Sequence, residues 1–433
     1  MRPAERAVLV GIVVVVAAAL RIAFVATATV QSPLRADAGE YASYARNLIE
    51  HGVYSLAQEQ EQPPPDSFRS PGFPLFVAAC RLVAGEGGWY AVLRWLQVGL
   101  STLTVLLAYR LARRMLPFSA SVVAAALVAC SPHLVVSPAF VLTECLTAFV
   151  VTLALWAATA EGSRWRTGVG VLALGFAPLC NGTLVFLPLV FFVARWRRDR
   201  LCAVGLLVVA MLPLALWHAR NQTTELARRG SERAIASISH GSYPGMVFAD
   251  ERYFGFPYRE DPAQPEMAAS WSNLFEVLGP RIAADPMRYA VWYALQKPVW
   301  LWSWPLVQGR DVCVYPVADS PYERQAVMAF THRLMRWGHA PVMLLAAVGV
   351  LLGLGAGARS GVGHWRVRAL AATAVLGTLA YVPVIPDPRY LQPIRPLLFV
   401  LAAAAIPWSL ALLRSRHRAA SDACAGPGVI APS

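Results

Sequence analysis

The chain has 433 residues and a formal net charge of +13, with 57% apolar and only 15% charged side chains. Soluble domains carry about a quarter charged residues, so the composition excludes an ordinary soluble protein and points to a chain dissolved in lipid. The positive balance does not require nucleic acid, because basic side chains also collect on the cytoplasmic side of membrane proteins.

Residues 7–30 are apolar over a stretch too long for the h-region of a cleaved signal peptide, and they suit a retained first span. Further apolar stretches lie near 89–110, 119–138, 142–160, 166–181, 182–195, 201–219, 338–357, 366–384 and 392–413, which predicts about ten spans. The short loops at one end carry Arg2 and Arg6, then Arg110, Arg113 and Arg114, then Arg164 and Arg166. They continue with Arg195, Arg197, Arg198 and Arg200, then Arg359, Arg366 and Arg368, and finally Arg414, Arg416 and Arg418. The positive-inside rule places these loops and both termini in the cytoplasm. The predicted organisation is therefore a membrane module over 1–219, an outer loop over 220–337, C-terminal spans over 338–418 and a small, polar, disordered tail over 419–433.

Two large segments fall on the opposite, extracytoplasmic face: 31–88 and 220–337. Within the second, "VWYALQKPVWLWSWP" (291–305) is rich in Trp, which marks the headgroup level, so 288–305 is expected along the outer interface. "PGFPLFVAACRLVAG" (71–85) is too short to span and reads as another interfacial helix. The seven cysteines (Cys80, Cys130, Cys145, Cys180, Cys202, Cys313 and Cys424) form no CxxC pair, which argues against a disulfide framework or zinc site and for apolar filling.

The stretch "RADAGEYASYARNLIEHGVYS", starting at Arg35, follows the first span. A helix over about 38–51, stopped by Gly52, places Asp37, Glu40, Tyr41 and Tyr44 on one side. Asp37-x-x-Glu40 has the spacing of a capping box with Asp in the Ser/Thr role. A carboxylate kept ionised at a helix N-terminus also suits a general base. Both readings stay open locally. Downstream, "PPPDSFRSPGFPLF" (63–76) stiffens the chain and holds Arg69 at the lip of the next helix; a guanidinium is suited to fork onto a phosphate. Glu144 opens the fourth span beside Thr143. "LWHARNQ" sets His218, Arg220 and Asn221 where the seventh span leaves the membrane, and "VIPDPRYLQP" sets Asp387, Arg389 and Tyr390 in an outer turn before the last span. Interfacial anchoring is the plain reading of each arginine taken alone. Together, Arg69, Arg220 and Arg389 supply three outward cations facing an ionised acid, which suits an anionic, lipid-linked leaving group.

"ADAGEYASYARNLIEHGVYS", "FRSPGFPLFVA", "SPHLVVSPAFVLTE", "LWHARN" and "DPRYLQPIRPLL" occur in that order. They resemble successive landmarks of the GT-C fold glycosyltransferases, in particular the bacterial relatives of protein O-mannosyltransferases and of the lipid A aminoarabinose transferase. The resemblance runs from about Leu20 to Leu398 and implies an all-α, polytopic GT-C bundle in the cytoplasmic (inner) membrane. It implies a sugar donor carried on polyprenyl phosphate, a lipid, glycan or protein acceptor, and an active site on the extracytoplasmic face. It maps the essential first-loop acid onto Asp37, a second acid onto Glu40, the basic residue before the next helix onto Arg69, and a late Arg-Tyr pair onto Arg389 and Tyr390. Tyr41, Tyr44, Glu144 and His218 are supporting candidates. Many relatives have two adjacent acids where Ala38 follows Asp37 here, so no cofactor is expected and a divalent metal, though open, is not favoured. Two other functions compete: a polysaccharide polymerase or ligase, and a transporter of lipid-linked substrates. The near-absence of charge inside the spans and the lack of an inverted repeat argue against transport.

Overall fold

The computed structural model describes residues 2–57, 60–160, 163–196, 199–222, 226–246, 261–304, 315–355 and 365–424. The chain is a helical membrane bundle, and each of the ten apolar stretches coincides with a helical element. α1 (Pro3–Thr27) starts with Pro at its first position and Glu5 in its first turn, where both favour a helix N-terminus. α2 (Asp37–Glu50) follows, and Gly52 at φ 66° ends it in the left-handed conformation expected of a C-terminal stop. α3 (Gly72–Ala112) is broken at Gly85, where φ is 65°. The break divides an arm, at the position expected for an interfacial helix, from the long apolar span.

α4 (Phe118–Cys130) and α5 (Pro132–Val136) bend by 53° at Ser131. α6 (Thr143–Ala158), α7 (Arg164–Cys180), α8 (Phe186–Trp196) and α9 (Arg200–Gln222) complete the first half. The outer region holds α10 (Leu226–Gly241), α11 (Gln264–Ala268), α12 (Trp271–Ala284), α13 (Pro286–Val291), α14 (Lys297–Leu301) and α15 (Pro321–Arg324). α16 (Ala326–Leu354), α17 (Trp365–Tyr381) and α18 (Arg395–Cys424) close the bundle. About ten spans were expected. Among the described residues, five helices are long and apolar enough to cross a bilayer, six if the bent pair is one span, and shorter apolar helices accompany them. α18 carries helix on to Cys424, through the first residues of the predicted tail; 425–433, like Arg197, Arg198, Arg359 and Cys313, lie outside the described residues. Cys80, Cys130, Cys145, Cys180 and Cys202 are free thiols.

α3 is central, packing on α1, α2, α4 and α6, while α16 runs along α18. α9 lies at the periphery: Leu201, Val208, Leu212 and Leu216 are exposed, as suits a face turned to lipid. Several cations sit deep inside, Arg21 among them. Arg21 is fully buried and donates to Ser101 Oγ (2.7 Å) and to the carbonyls of Ala17, Val128 and Ala129, so its charge is satisfied by the chain it ties together.

Three contacts brace the end of the bundle that carries α2. A short antiparallel bridge pairs Val30 with Val317, fixing the exit of α1. Lys297, the single lysine of the chain, is buried and donates to the carbonyls of Val382 (2.7 Å) and Val384 (2.9 Å). It thereby clips the segment leading to Arg389 onto α14. Gly39 lies so close to the preceding turn that a Cβ there would stand 2.5 Å from the Leu34 carbonyl oxygen. Backbone cannot yield as a flexible side chain would. Gly39→Ala is therefore expected to destabilise the protein by about 1–3 kcal/mol, read as a lower thermal transition, with α2 displaced. An unchanged transition would show that this contact relaxes freely.

Candidate functional site

α2 does not begin with a side-chain cap. Ala36 occupies the cap position at φ 52°, a conformation costly for a residue with a Cβ. The Ala38 N–H donates instead to the Tyr315 hydroxyl (3.2 Å). Asp37 is the first helical residue, and its carboxylate turns away from the helix to two guanidinium groups. Arg69 Nη2 lies 2.6 Å from Oδ1, and Arg389 Nη2 lies 3.0 Å from Oδ2. Arg69 Nε also donates to Glu40, and Arg389 Nε lies 3.1 Å from Glu144 Oε1. Three acids and two arginines, from four separate stretches of sequence, thus form one alternating chain of charge.

The loop before α3 delivers Arg69. Asp66 accepts from the backbone N–H groups of Leu56 (3.1 Å) and Phe68 (2.8 Å) and from the Tyr44 hydroxyl. The Tyr54 hydroxyl donates to the Arg69 carbonyl (3.0 Å), and its ring stacks on Tyr44 with centroids 4.2 Å apart. Arg220 donates to the Asp66 carbonyl (2.7 Å) and Arg233 to that of Phe68 (2.6 Å). The Arg69 guanidinium rests over the rings of Tyr41 and Phe68, 5.3 Å from each centroid. On the other side, Asp387 caps the turn 388–394 by accepting from the Arg389 N–H (2.8 Å), and Tyr390 stacks on Tyr381.

These groups wall a cleft of about 770 Å³ between α2, the N-terminus of α6, the C-terminus of α7, α10 and the 381–393 segment. Asp37, Tyr41, Arg69, Glu144, Arg389 and Tyr390 line it. Asp37 retains 28% of its side-chain exposure, against 10% for Arg69 and 9% for Glu144, so the acid faces the space while its partners are sunk behind it. Burial works against ionisation of Asp37, but the charges of Arg389 and Arg69 prevail and hold its carboxyl below the usual range. Burial raises the Tyr41 hydroxyl to about 12, which keeps it a neutral donor.

Of the predicted residues, Arg220 and His218 lie outside this lining. Arg220 is spent on the Asp66 carbonyl and stands over the Trp217 ring, and His218 sits 3.0 Å from Gln222 Nε2. Glu40 and Tyr44 act one layer back, on Arg69 and on Asp66. Sequence reasoning missed Tyr315, Arg233, Asn181 and Tyr381. Asn181 Nδ2 donates to the Tyr381 hydroxyl (2.6 Å) at the cleft wall. The Asn181-Gly182 interruption between two apolar stretches was the available signal for that position.

The architecture has counterparts among solved structures. The apo oligosaccharyltransferase of Archaeoglobus fulgidus superposes with a TM-score of 0.52 at 15% identity, covering 96% of this chain and 52% of that one. The chain has the GT-C fold. A second structure of the archaeal GT-C enzyme, in complex with an inhibitory peptide and a dolichol-phosphate, matches with a TM-score of 0.50, 13% identity and the same coverage. The chain therefore spans about half the length of these oligosaccharyltransferases. ArnT from Cupriavidus metallidurans bound to undecaprenyl phosphate is similar over 94% of this chain and 79% of its own, at 18% identity and a TM-score of 0.40. A profile of the family described as dolichyl-phosphate-mannose-protein mannosyltransferase matches residues 68–218. That match begins one residue before Arg69 and leaves out Asp37. No curated protein matches the sequence.

Proposed function

We propose that the protein is a membrane glycosyltransferase that moves a sugar from a polyprenyl-phosphate carrier to an acceptor hydroxyl at the extracytoplasmic face of the cytoplasmic membrane. The observation that carries this reading is Asp37 shared between Arg69 and Arg389 in the wall of a cleft large enough for a glycosyl phosphate. The placement of the cleft supports the face: it opens at the N-terminus of α6, while arginine-rich loops gather at the other end of that helix.

In this mechanism Arg69 and Arg389 hold the donor phosphate. The acceptor oxygen forms a bond to the anomeric carbon as the bond from that carbon to the phosphate oxygen breaks. The electron pair leaves with the polyprenyl phosphate, where the two guanidinium groups stabilise it. Asp37 takes the acceptor proton. A single displacement of this kind inverts the anomeric centre. In the resting cleft the two arginines keep Asp37 weakly basic. An incoming phosphate competes for the same N–H groups, so donor binding raises the basicity of Asp37 when it is needed.

The reaction is proposed to proceed without a divalent metal. Both Asp37 oxygens and one oxygen of Glu144 already face guanidinium groups, and Glu40 accepts from Arg69. A hard cation requires several such oxygens for itself. Among the described residues no group of three His, Cys, Asp or Glu is placed to hold a metal.

Protein in nanodiscs, given polyprenyl-phosphate sugars and a mixed pool of envelope acceptors, is expected to release polyprenyl phosphate, with no loss in EDTA. Polyprenyl phosphate alone should inhibit by competing with the donor. Failure of any polyprenyl phosphate to bind would overturn the reading, and loss of turnover in EDTA would overturn its metal-free form.

A further inference from the structure

The end of α6 remote from the cleft collects a second set of cations. Arg114 donates to the carbonyl of Trp156 and to Thr159 Oγ1 (2.7 Å). Arg195 donates to the Ala158 carbonyl (3.1 Å), and Arg366 to that of Thr159 (3.0 Å). These acceptors fall within one helical turn, at the negative end of the helix dipole. Arg166 joins them: Arg114 and Arg166 each stand 5.4 Å from the centroid of the same indole, Trp156. Its Nε is buried without a hydrogen-bond partner. Capping accounts for Arg114, Arg195 and Arg366, but it does not account for Arg166.

Two further features bear on what completes the cluster. Among the described residues no carboxylate pairs with Arg114, Arg166 or Arg195. Burial and the like charges of Arg166 and Arg366 accordingly press the Arg114 guanidinium down to about 10. Trp165 is exposed beside the cluster, and Trp365 lies under Arg195 and Arg366. Indoles of this kind mark the headgroup level of a bilayer.

A cation cluster flanked by indoles at headgroup depth is complementary to the phosphate of an anionic lipid headgroup. We propose that Arg114, Arg166, Arg195 and Arg366 form a binding site for the headgroup of an anionic phospholipid of the surrounding leaflet. The site is distinct from the cleft and does not depend on the reading of the reaction there. It ties the C-terminal ends of α3 and α8 to the first turns of α7 and α17 through a bound lipid.

The test is retention of phosphatidylglycerol against phosphatidylcholine by the full-length protein, measured by native mass spectrometry after incubation with equimolar mixed micelles. The wild type is expected to keep phosphatidylglycerol at least fivefold over phosphatidylcholine, and 10 mM inorganic phosphate should not displace it. Arg166→Gln removes a cation without breaking a cap and should abolish the preference. Equal retention of the two lipids by the wild type would overturn the proposal, as would an undiminished preference in Arg166→Gln. Displacement by inorganic phosphate would identify a free-anion site and overturn it too.

Discussion

Asp37→Asn is expected to lower transfer by about 10²–10⁴-fold, the usual contribution of a general base, in a protein that still inserts and folds. The substitution keeps the shape of the side chain and removes its proton affinity. Capping is not at stake, because Asp37 does not serve as the cap of α2. What is lost besides the base is the charge between Arg69 and Arg389. With that charge gone, the two guanidinium groups are free to bind phosphate more tightly. The variant should therefore show a collapsed kcat with a donor KM unchanged or lower. A near-normal kcat in a correctly folded variant would eliminate Asp37 as the base, and a raised KM with kcat intact would reassign it to donor binding.

The second large effect is expected from Arg389→Gln. This side chain joins Asp37 to Glu144, and it retains only 14% of its exposure. Removing one partner of a buried pair costs about 3–5 kcal/mol, and here two acids are left facing each other. Loss of one of two phosphate donors should cost a further 10²–10³-fold in kcat/KM. The pH profile separates the roles. In the wild type the Asp37 carboxyl lies below its ordinary value, which is about 3.9 in an unfolded chain. Its ionisation therefore stabilises the fold at all pH values above that range, and the contribution is lost as pH falls through the folded value. Without Arg389 the largest opposing charge is gone. The acid limb of both activity and stability should then move to higher pH. An acid limb of kcat/KM that does not rise into the range from pH 4 to 8 in the variant would show that Arg389 does not govern Asp37.

Much of this arrangement was legible in the sequence, for reasons that differ residue by residue. The apolar stretches, the arginine-rich loops and the stop at Gly52 depend on local composition and backbone chemistry, and the helices coincide with them. That charged side chains would gather here was visible because Asp37, Arg69 and Arg389 each lie at the edge of an apolar run on the same predicted face. Their contact was not visible, since Asp37 and Arg389 are brought together by the whole bundle. Local spacing also could not tell whether Asp37 caps α2; that depended on Tyr315, far along the chain, accepting from the Ala38 N–H. Arg220 shows the converse limit. Its position at the end of α9 was read correctly, but which partner a flexible guanidinium reaches depends on where the Asp66 carbonyl lies.

The length of α6 has a consequence for the lipid around it. Glu144 stands at one end of this helix and the arginine cluster at the other, and sixteen residues of helix cover only about 24 Å. A typical hydrocarbon layer is about 30 Å thick. If the arginine end of α6 meets the edge of the hydrocarbon layer on one side, the floor of the cleft lies about 6 Å short of the opposite edge. On the proposed mechanism, a carrier lipid docking there must draw its own phosphate below its neighbours, or the bilayer must pinch around the protein. Shorter acyl chains would then ease the proposed transfer, and membrane thickness itself would become a control on its rate.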